Sequence, residues 1–234
     1  IGPIDSPVRG VNMVPVVTID GPSGSGKGTI AARVAQRLGW RILDSGALYR
    51  LVGHAVAKAA VPLDDIETIS DIARGLDVEF RAGKVLLDGE DVSKAIRSET
   101  AGNMASKVAA IPEVRTALLD WQKAYATAPG LVADGRDMGT VVFPEAQVKI
   151  FLTASAGERA NRRYKQLIEK GIDANLTDLT AEIEERDARD RNRSVAPLRP
   201  ATGAIEIDST ALGIDEVVVR VLAAVTQVWP DPDV

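Results

Sequence analysis

Nine residues near the start of the chain combine glycines, a lysine and hydroxyls in a pattern that suits phosphate binding. They read Gly21-Pro22-Ser23-Gly24-Ser25-Gly26-Lys27-Gly28-Thr29. Glycines allow backbone N–H groups to converge on phosphate oxygens, the lysine can reach the β- and γ-phosphates, and a hydroxyl can hold Mg²⁺. The chain departs from the common G-x-x-x-x-G-K-[ST] pattern, because Gly28 separates Lys27 from the hydroxyl of Thr29. We predict a phosphate-binding loop in which Thr29 is a magnesium ligand.

The residues on either side predict the elements that hold this loop. Val16–Asp20 is an apolar run typical of a buried strand. After the loop, apolar residues recur at helical spacing and end at a glycine suited to a C-cap: Ile30, Ala31, Val34, Ala35 and Leu38, then Gly39. A plain glycine-rich turn is the alternative, but the flanking strand and helix favour phosphate binding.

A second apolar run leads directly into charged residues. Residues 131–139 read Leu-Val-Ala-Asp-Gly-Arg-Asp-Met-Gly. In an open α/β sheet, ligands bind beyond the carboxyl ends of the strands, where this segment is expected. Asp134 then supports Mg²⁺ directly or through water, Arg136 pairs with a phosphate, and Asp137 accepts from a neutral donor. A salt-bridged turn is the alternative, because the two glycines also suit a turn.

A third segment places a serine and an arginine at the start of a predicted helix. Residues 43–50 read Leu-Asp-Ser-Gly-Ala-Leu-Tyr-Arg. We expect Ser45 to cap the helix and contact an anion at its N-terminus, with Arg50 adding positive charge. An ordinary N-cap beside a solvated arginine is the alternative.

A fourth segment is rich in arginine. It reads Glu185-Arg186-Asp187-Ala188-Arg189-Asp190-Arg191-Asn192-Arg193. On a helix, Arg186, Asp190 and Arg193 share one face, and Asp187 and Arg191 are expected to pair on another. The alternative is a solvated helix with ion pairs at i,i+4 spacing. The lack of lysine in this segment favours bidentate phosphate recognition by arginine.

Composition excludes several classes of site. The 234 residues carry a net charge of −5, with one histidine and no cysteine. Disulfides, thiolate catalysis, cysteine zinc sites and histidine-cluster metal sites are therefore excluded. The acidic balance and the lack of a long apolar stretch lead us to expect neither nucleic acid nor a membrane as partner. Arginines cluster locally at 159–163 and 186–193, which indicates binding of a small anion. We expect a monomer in the cytoplasm.

Strand-like and helix-like patterns alternate along the chain. Strands are predicted at 16–20, 40–43, 131–134, 149–152 and 204–208, and helices at about 47–60, 98–110, 113–127, 156–170, 180–193 and 215–228. Asp64 or Asp65 should cap a short further helix through Ile72. This alternation predicts an α/β fold with a parallel sheet covered on both faces. Short strands at 78–80 and 84–87, with tight turns at 82–83 and 88–89, predict a small inserted β subdomain.

Taken together, these segments resemble the bacterial cytidylate kinases, a family of P-loop nucleoside monophosphate kinases. The matching segments are IDGPSGSGKGT (19–29), LDSGALYR (43–50), ADGRDMGTVVFP (133–144), KIFL (149–152), ERDARDRNRSVAPL (185–198) and IDST (207–210). The resemblance spans about residues 16–228. Its first segment is shared with many kinases, whereas GRDMGTVVFP and RDxRDRNR are far more selective.

The resemblance implies a P-loop NTPase-type parallel sheet flanked by helices, with a nucleoside-monophosphate-binding insertion that contains the β subdomain and a mobile helical lid. We therefore expect one domain at 14–228. Its core would comprise 14–60, 112–153 and 196–228, its insertion about 61–111 and its lid about 154–195. A loose leader is expected at 1–13 and a tail at 229–234.

The resemblance also implies residue roles at the matching positions. Gly21 to Thr29 would hold ATP, with Mg²⁺ at Thr29 and Asp134. The residues implied to bind CMP are Ser45, Tyr49, Arg50, Ser106, Arg115, Arg136, Asp137, Arg186, Asp190 and Arg193. Among them, Ser106, Arg115 and Asp137 would read the cytosine, Arg186 and Asp190 would hold the sugar hydroxyls, and the others would hold or line the phosphate. The implied catalytic residues are Lys27, Arg136, Arg162, Arg163, Arg186 and Arg193, with Arg162 and Arg163 covering the transferring phosphate from the lid.

The implied reaction moves the γ-phosphoryl group of ATP to CMP or dCMP. Two alternatives stay open from the sequence. A kinase for another small acceptor, such as a different nucleotide or shikimate, would keep the loop but change GRDMG and the Arg–Asp helix. A P-loop switch protein would need a guanine reader such as Asn-Lys-x-Asp, and the chain contains no Asn-Lys dipeptide.

Overall fold

Strands of the described chain form two sheets. They are β1 (Val16–Asp20), β2 (Arg41–Asp44), β3 (Val78–Arg81), β4 (Lys84–Leu87), β5 (Glu90–Asp91), β6 (Leu131–Gly135), β7 (Val148–Thr153) and β8 (Ile205–Asp208). The larger sheet is parallel, with the order β2-β6-β1-β7-β8, and β3-β4-β5 form a small antiparallel sheet. The structure, a computed structural model, describes residues 13–81 and 84–230. The predicted leader as far as residue 12, the predicted turn at 82–83 and the tail from 231 lie outside the described residues.

Helices connect the strands of the larger sheet and cover it. They are α1 (Lys27–Leu38), α2 (Ser45–Lys58), α3 (Ile66–Arg74), α4 (Glu99–Val108), α5 (Pro112–Ala124), α6 (Ala156–Glu169), α7 (Leu176–Arg191) and α8 (Ile214–Val228). Alternate residues of β6 enter different hydrophobic clusters, because side chains point to opposite faces along a strand. Leu131 and Ala133 pack on the α2 side, whereas Val132 packs with α1 and α8. The predicted parallel sheet with two covered faces is confirmed.

The register of the central strands brings two predicted segments together. β1 and β6 are hydrogen-bonded neighbours in which Ile19 lies opposite Asp134 and Asp20 opposite Gly135. Both strands run in the same direction, so the loop after β1 and the charged residues at the end of β6 lie at the same edge of the sheet. This is the edge at which open α/β sheets bind ligands.

The predicted β subdomain is confirmed within the described residues. β3 and β4 pair with Val78 opposite Leu87, and β4 pairs with β5 around Asp88-Gly89. Gly89 has φ 78°, a value that favours glycine in such a turn. None of the described helices is both long enough and apolar enough to span a membrane.

Three local predictions differ from the structure. The helix predicted to begin at 113 begins at Pro112, the first residue of α5, where its missing N–H costs nothing. The helix predicted to begin at 180 begins at Leu176, because the Asn175 side chain caps it by accepting from Thr177 N at 2.8 Å. The cap of α2 is Asp44 and not Ser45, since Asp44 Oδ1 accepts from the backbone N–H of Ala47 at 2.9 Å. By contrast, the predicted Asp65 cap of α3 is confirmed.

Candidate active site

The loop between β1 and α1 depends on its glycines. Gly24 and Gly26 have φ of 75° and 87°, in the left-handed region that other residues rarely adopt. A side chain at Gly21 would place its Cβ 2.2 Å from the carbonyl oxygen of Leu152 in β7. The loop therefore packs directly against the neighbouring strand, and its backbone N–H groups and the start of α1 are left to face a ligand.

Lys27 and Asp134 lie close enough beside this loop to influence each other's pKa. The Lys27 ammonium donates to the carbonyl oxygen of Pro22 at 3.2 Å. Burial lowers the pKa of Lys27 to about 8, although Asp134 acts in the opposite direction. Burial also raises the pKa of Asp134, against the influence of Lys27. Each group would gain from an opposite charge, and the triphosphate and a divalent cation are charges of the required signs.

The residues predicted to hold magnesium fit a shared site with phosphate. Asp134 Oδ1 is buried and has no hydrogen-bond partner within the described part of the chain. A Cβ added at Gly28 would lie 3.3 Å from Asp134 Oδ2, so the carboxylate adjoins the loop. Thr29 is exposed and lines the adjoining cleft. Residues 13–81 and 84–230 hold no cluster of three carboxylate, histidine or cysteine side chains suited to a metal. A Mg²⁺ ion held at Asp134 and Thr29 would take its remaining ligands from phosphates and water, as is usual for this ion.

A cleft of about 560 Å³ opens beside the loop. Residues 23–26, α6, α7 and the start of α8 line it. Arg162 crosses one end, where Nη2 donates to Ser209 O at 2.6 Å and Nε to Glu158 Oε1 at 2.9 Å. Arg163 also lines the cleft but forms an ion pair with Glu99 of α4. Both predicted lid arginines thus lie at the cleft, and each has a protein carboxylate as partner.

One wall of this cleft lay beyond the site prediction. It is formed by Ser209, Leu212, Gly213, Ile214 and Val217. These residues follow β8, and the similarity at 207–210 was the available signal for them. These residues are small or apolar and form no pattern of charges, so their spacing in the sequence did not predict a binding role. Such a wall suits the flat face of a nucleobase.

A second, smaller chamber of about 30 Å³ lies between α2, α4, β6 and α7. Nine of the ten residues predicted to bind CMP line it: Ser45, Tyr49, Ser106, Arg115, Arg136, Asp137, Arg186, Asp190 and Arg193. The tenth, Arg50, lines the larger cleft instead. Arg186 lines both spaces. The structure therefore brings together residues separated by as many as 148 positions along the chain, from Ser45 to Arg193.

Buried ion pairs order the side chains of this chamber. Arg115 pairs with Asp137, and its Nη1 also donates to Ala109 O at 3.0 Å. Arg115 lies over the ring of Tyr49, 5.3 Å from the centroid. Asp190 accepts from Ser106 Oγ at 3.0 Å and pairs with Arg136. Polar side chains on both sides of the chamber are thus held in place before a ligand arrives.

Positive charge exceeds negative charge at the meeting of the two spaces. Burial lowers the pKa of Arg186 to about 9, and the neighbouring Arg136 adds to this. Burial acts to raise the pKa of Asp190, but Arg136, Arg193 and Arg186 outweigh it and hold that pKa low. Arginines crowded in this way favour a multiply charged anion, and a phosphate has the required charge and geometry.

Gly102 of α4 lets two of these arginines approach each other. A Cβ added there would lie 2.9 Å from Arg186 Nη1 and 3.3 Å from Arg50 Nη2. Arg50 is also fixed by a hydrogen bond from Nη1 to Ile96 O at 2.7 Å. Sequence reasoning gave Gly102 no role, because a lone glycine within a helix has no chemical signature until its neighbours are known.

Asp20 is another residue to which sequence reasoning gave no role. Its carboxylate accepts from the backbone N–H groups of Met138 and Gly139, each at 2.8 Å. Burial raises the pKa of Asp20 to about 7, although these hydrogen bonds act to lower it. The end of β1 thereby fixes the turn that carries Arg136 and Asp137. A carboxylate at the end of an apolar strand, just before the loop, was the available signal.

Two contacts differ from the sequence prediction. Asp187 does not pair with Arg191; it pairs with Arg159 of α6, and Arg191 is exposed. Ser45 does not cap α2, because its Oγ donates to Gln122 Oε1 at 2.7 Å. In addition, α7 ends at Arg191, so Arg193 follows the helix rather than continuing its face. Its Nη2 donates to Ala196 O at 2.9 Å.

The sequence model of one family, described as cytidylate kinase, matches residues 17–227. The chain belongs to the cytidylate kinase family. A cytidylate kinase of Aeromonas hydrophila is 59% identical over 219 residues, which cover 92% of this chain and 95% of that protein. One of Stutzerimonas stutzeri is 59% identical over 221 residues, covering 92% and 96%. The resemblance found from the sequence is therefore confirmed.

A solved structure also shares the fold of this cytidylate kinase family member. An uncharacterized protein from Eubacterium ventriosum superposes with a TM-score of 0.51 at 8% identity, covering 92% of this chain and 99% of that chain. At so low an identity the likeness concerns the fold alone.

Proposed function

We propose that this chain transfers the γ-phosphoryl group of ATP to CMP or dCMP, giving ADP and CDP or dCDP. One observation carries the proposal: Arg186 lines both the cleft beside the loop and the chamber that holds the predicted CMP residues. A donor in the first space and an acceptor in the second would meet at this guanidinium. Membership of the cytidylate kinase family favours this reaction over that of another small-acceptor kinase or a P-loop switch.

The chemistry requires positioning and charge stabilisation. An oxygen of the CMP phosphate attacks the γ-phosphorus, and the bond from that phosphorus to the β–γ bridging oxygen breaks, so ADP leaves. The acceptor oxygen is already anionic, which removes the need for a general base. Lys27 would stabilise charge between the β- and γ-phosphates, and Arg136, Arg186 and Arg193 would stabilise the acceptor side. When bound at Asp134 and Thr29, Mg²⁺ would supply further positive charge.

Base recognition is assigned to the buried Arg115–Asp137 pair. Cytosine presents an exocyclic amino donor and a ring acceptor, where uracil presents a carbonyl and an N–H. Asp137 would accept from the amino group, and Arg115 would donate to the ring acceptors. Ser106 and Asp190, joined by their hydrogen bond, line the same chamber and would hold the base edge and the sugar.

The proposed function is tested by a screen of monophosphate acceptors. The protein, ATP and Mg²⁺ are incubated with CMP, dCMP, UMP, AMP, GMP or shikimate, and ADP release is followed. We expect CMP and dCMP to give the highest kcat/KM. GTP without an acceptor tests the switch alternative, and GTP hydrolysis without CMP-dependent ADP release would overturn the proposal.

A lack of cysteine and the nucleotide substrates support a place in the cytoplasm, and we propose a monomer.

The predicted lid, about 154–195, is proposed to close over both nucleotides. Its helices carry Arg162, Arg163 and Arg186 at the cleft. The chamber between α4 and α7 is small, and we expect these two helices to move apart when the acceptor enters. The proposed insertion, about 61–111, contributes α4 to the opposite wall.

Hydrogen exchange gives a prediction for this closure. Backbone amides of α6 and α7 should exchange faster in the free protein than with CMP and an unreactive ATP analogue together. At ligand concentrations 100 times Kd, opening is expected to be suppressed about 100-fold. Residues 222–228 of α8, which line neither space, serve as the internal control. Equal exchange of α6 and α7 in both conditions would make them a rigid surface element.

The pKa of Lys27 gives a prediction about pH. Because burial lowers that pKa to about 8 and only the ammonium form is active, kcat/KM for ATP should fall above about pH 8. The expected slope is about tenfold per pH unit. Bound triphosphate would raise the pKa again, so kcat should stay level to higher pH. In Lys27→Arg, whose guanidinium stays charged, the remaining kcat/KM should lose this alkaline decline. An unchanged decline would assign it to another group.

A further inference from the structure

The chemistry described above assigns no role to the buried ion pair between Arg159, which lines the cleft beside the loop, and Asp187. Arg159 is 2% exposed and Asp187 is 5% exposed. The contact is bidentate, with Nη1 donating to Oδ1 at 3.0 Å and Nη2 to Oδ2. It joins α6 to α7. A bidentate guanidinium–carboxylate pair fixes orientation as well as distance, because both groups are planar.

The other donors of Arg159 reach the phosphate-binding loop and the sheet. Nη1 also donates to the carbonyl oxygen of Ser23 at 3.0 Å, and Nε donates to Ala154 O at 2.9 Å. The loop lies close to the α6 backbone at this point, since a Cβ added at Gly24 would be 3.3 Å from Arg159 Cβ. One guanidinium therefore contacts the loop, the residue after β7 and α7 simultaneously.

Asp187 lies among the residues proposed to hold CMP. Arg186 precedes it, and Asp190 follows almost one turn later; both are buried and line the chamber. A helix turn is rigid, so a displacement of Asp187 displaces these neighbours. The carbonyl of Ser23 in the ATP loop is thus connected to Arg186 through two residues, Arg159 and Asp187.

Stability gives no sufficient reason for this pair. Removing two charges from water is costly, and buried ion pairs are often replaceable by apolar residues of similar volume without loss of stability. The geometry of the Arg159–Asp187 pair instead indicates a role in positioning the elements that it joins. It holds the loop and α7 in one relative arrangement.

We infer that the Arg159–Asp187 pair couples the two substrate sites, so that nucleotide bound at the loop raises the affinity of the chamber for CMP. Asp187 lines neither space, and Arg159 lines the ATP cleft with its guanidinium bonded to Asp187 and to main-chain oxygens, so both are positioning residues. The inference rests on the proposed function. By linkage, CMP must raise the affinity for ATP by the same factor.

The test measures the Kd of CMP by calorimetry with and without an ATP analogue whose β–γ bridge is a methylene group. The ratio of the two Kd values is the coupling factor. Asp187→Asn breaks the pair but leaves a buried cation, which endangers folding. The double variant Arg159→Met with Asp187→Leu removes both charges and fills the space with apolar side chains. Glu185→Gln is the matched control, because it breaks the exposed pair of Glu185 with Arg189 on the same helix.

We expect a coupling factor of about five or more in the wild-type protein and the control. In the double variant it should fall to about one, while CDP synthesis remains detectable. A merely structural role would lower the melting temperature and leave the ratio unchanged. The inference is overturned if the double variant keeps the wild-type ratio of CMP Kd values. It is also overturned if that ratio is one in a wild-type protein that makes CDP. A wild-type protein that makes no CDP from CMP overturns the proposed function itself.

Discussion

Lys27→Ala is expected to lower kcat by about 10²- to 10³-fold, because it removes a preorganised positive charge from the phosphates during transfer. That loss corresponds to about 3–4 kcal/mol of transition-state stabilisation. The fold should persist. Lys27 lies at the start of α1, and its one described hydrogen bond, to Pro22 O, is local to the loop. Truncation also relieves the desolvation of a buried ammonium, which is the main cause of its low pKa.

Steady-state kinetics and thermal unfolding of Lys27→Ala test this expectation together. Lys123→Ala is the matched control, since Lys123 is exposed in the last turn of α5. Turnover within threefold of wild type would remove Lys27 from the proposed chemistry. A collapse of the melting temperature with the loss of activity would instead assign Lys27 a structural role.

Asp137→Asn is expected to lose CMP activity and to narrow the preference for CMP over UMP. An amide can donate to the uracil carbonyl, whereas the carboxylate of Asp137 can only repel it. A buried polar mismatch of this kind costs roughly 1–3 kcal/mol, which is a factor of about 5 to 150 in the ratio of kcat/KM values. The change also leaves Arg115 without its buried carboxylate, so both substrates should bind more weakly.

The ratio of kcat/KM for CMP to that for UMP is the decisive measurement for Asp137. A general loosening of the chamber would lower both values by one factor and keep their ratio. Asp120→Asn, at an exposed position of α5, controls for the charge change. If Asp137→Asn keeps the wild-type ratio, the assignment of this residue to base reading is wrong.

The sequence predicted the sheet and most helices because each carried a local signal. The loop glycines, the alternating apolar runs and the Asp65 cap are legible without knowledge of distant residues. The predictions that were wrong concern choices between nearby candidates. Asp44 and Ser45 are both good caps, and only the acceptor Oε1 of Gln122, 77 residues away, decides that Ser45 turns elsewhere.

Within the site, the sequence predicted which residues lie near one another but not which residues form ion pairs or hydrogen bonds with each other. Nine of the ten predicted CMP residues line one chamber. Their partners were not predictable, because charges on separate helices pair according to how the helices pack. Asp187 illustrates this: helical spacing predicted Arg191 as its ion-pair partner, whereas the packing of α6 on α7 makes Arg159 its partner. Asp20 and Gly102 were missed because their roles exist only toward residues brought near by the fold.

Because β1 and β6 are hydrogen-bonded neighbours, the distance between their backbones is one that mutation can hardly alter. Main-chain hydrogen bonds hold Ile19 opposite Asp134, so the backbone that leads into the loop and the backbone that carries Asp134 lie one strand spacing apart, about 4.8 Å. Replacing a side chain in these strands by another that is apolar and similar in volume leaves these main-chain bonds in place. The separation of β1 and β6, and with it the position of Asp134 beside the loop, is therefore set by the peptide unit, which a side-chain substitution does not change.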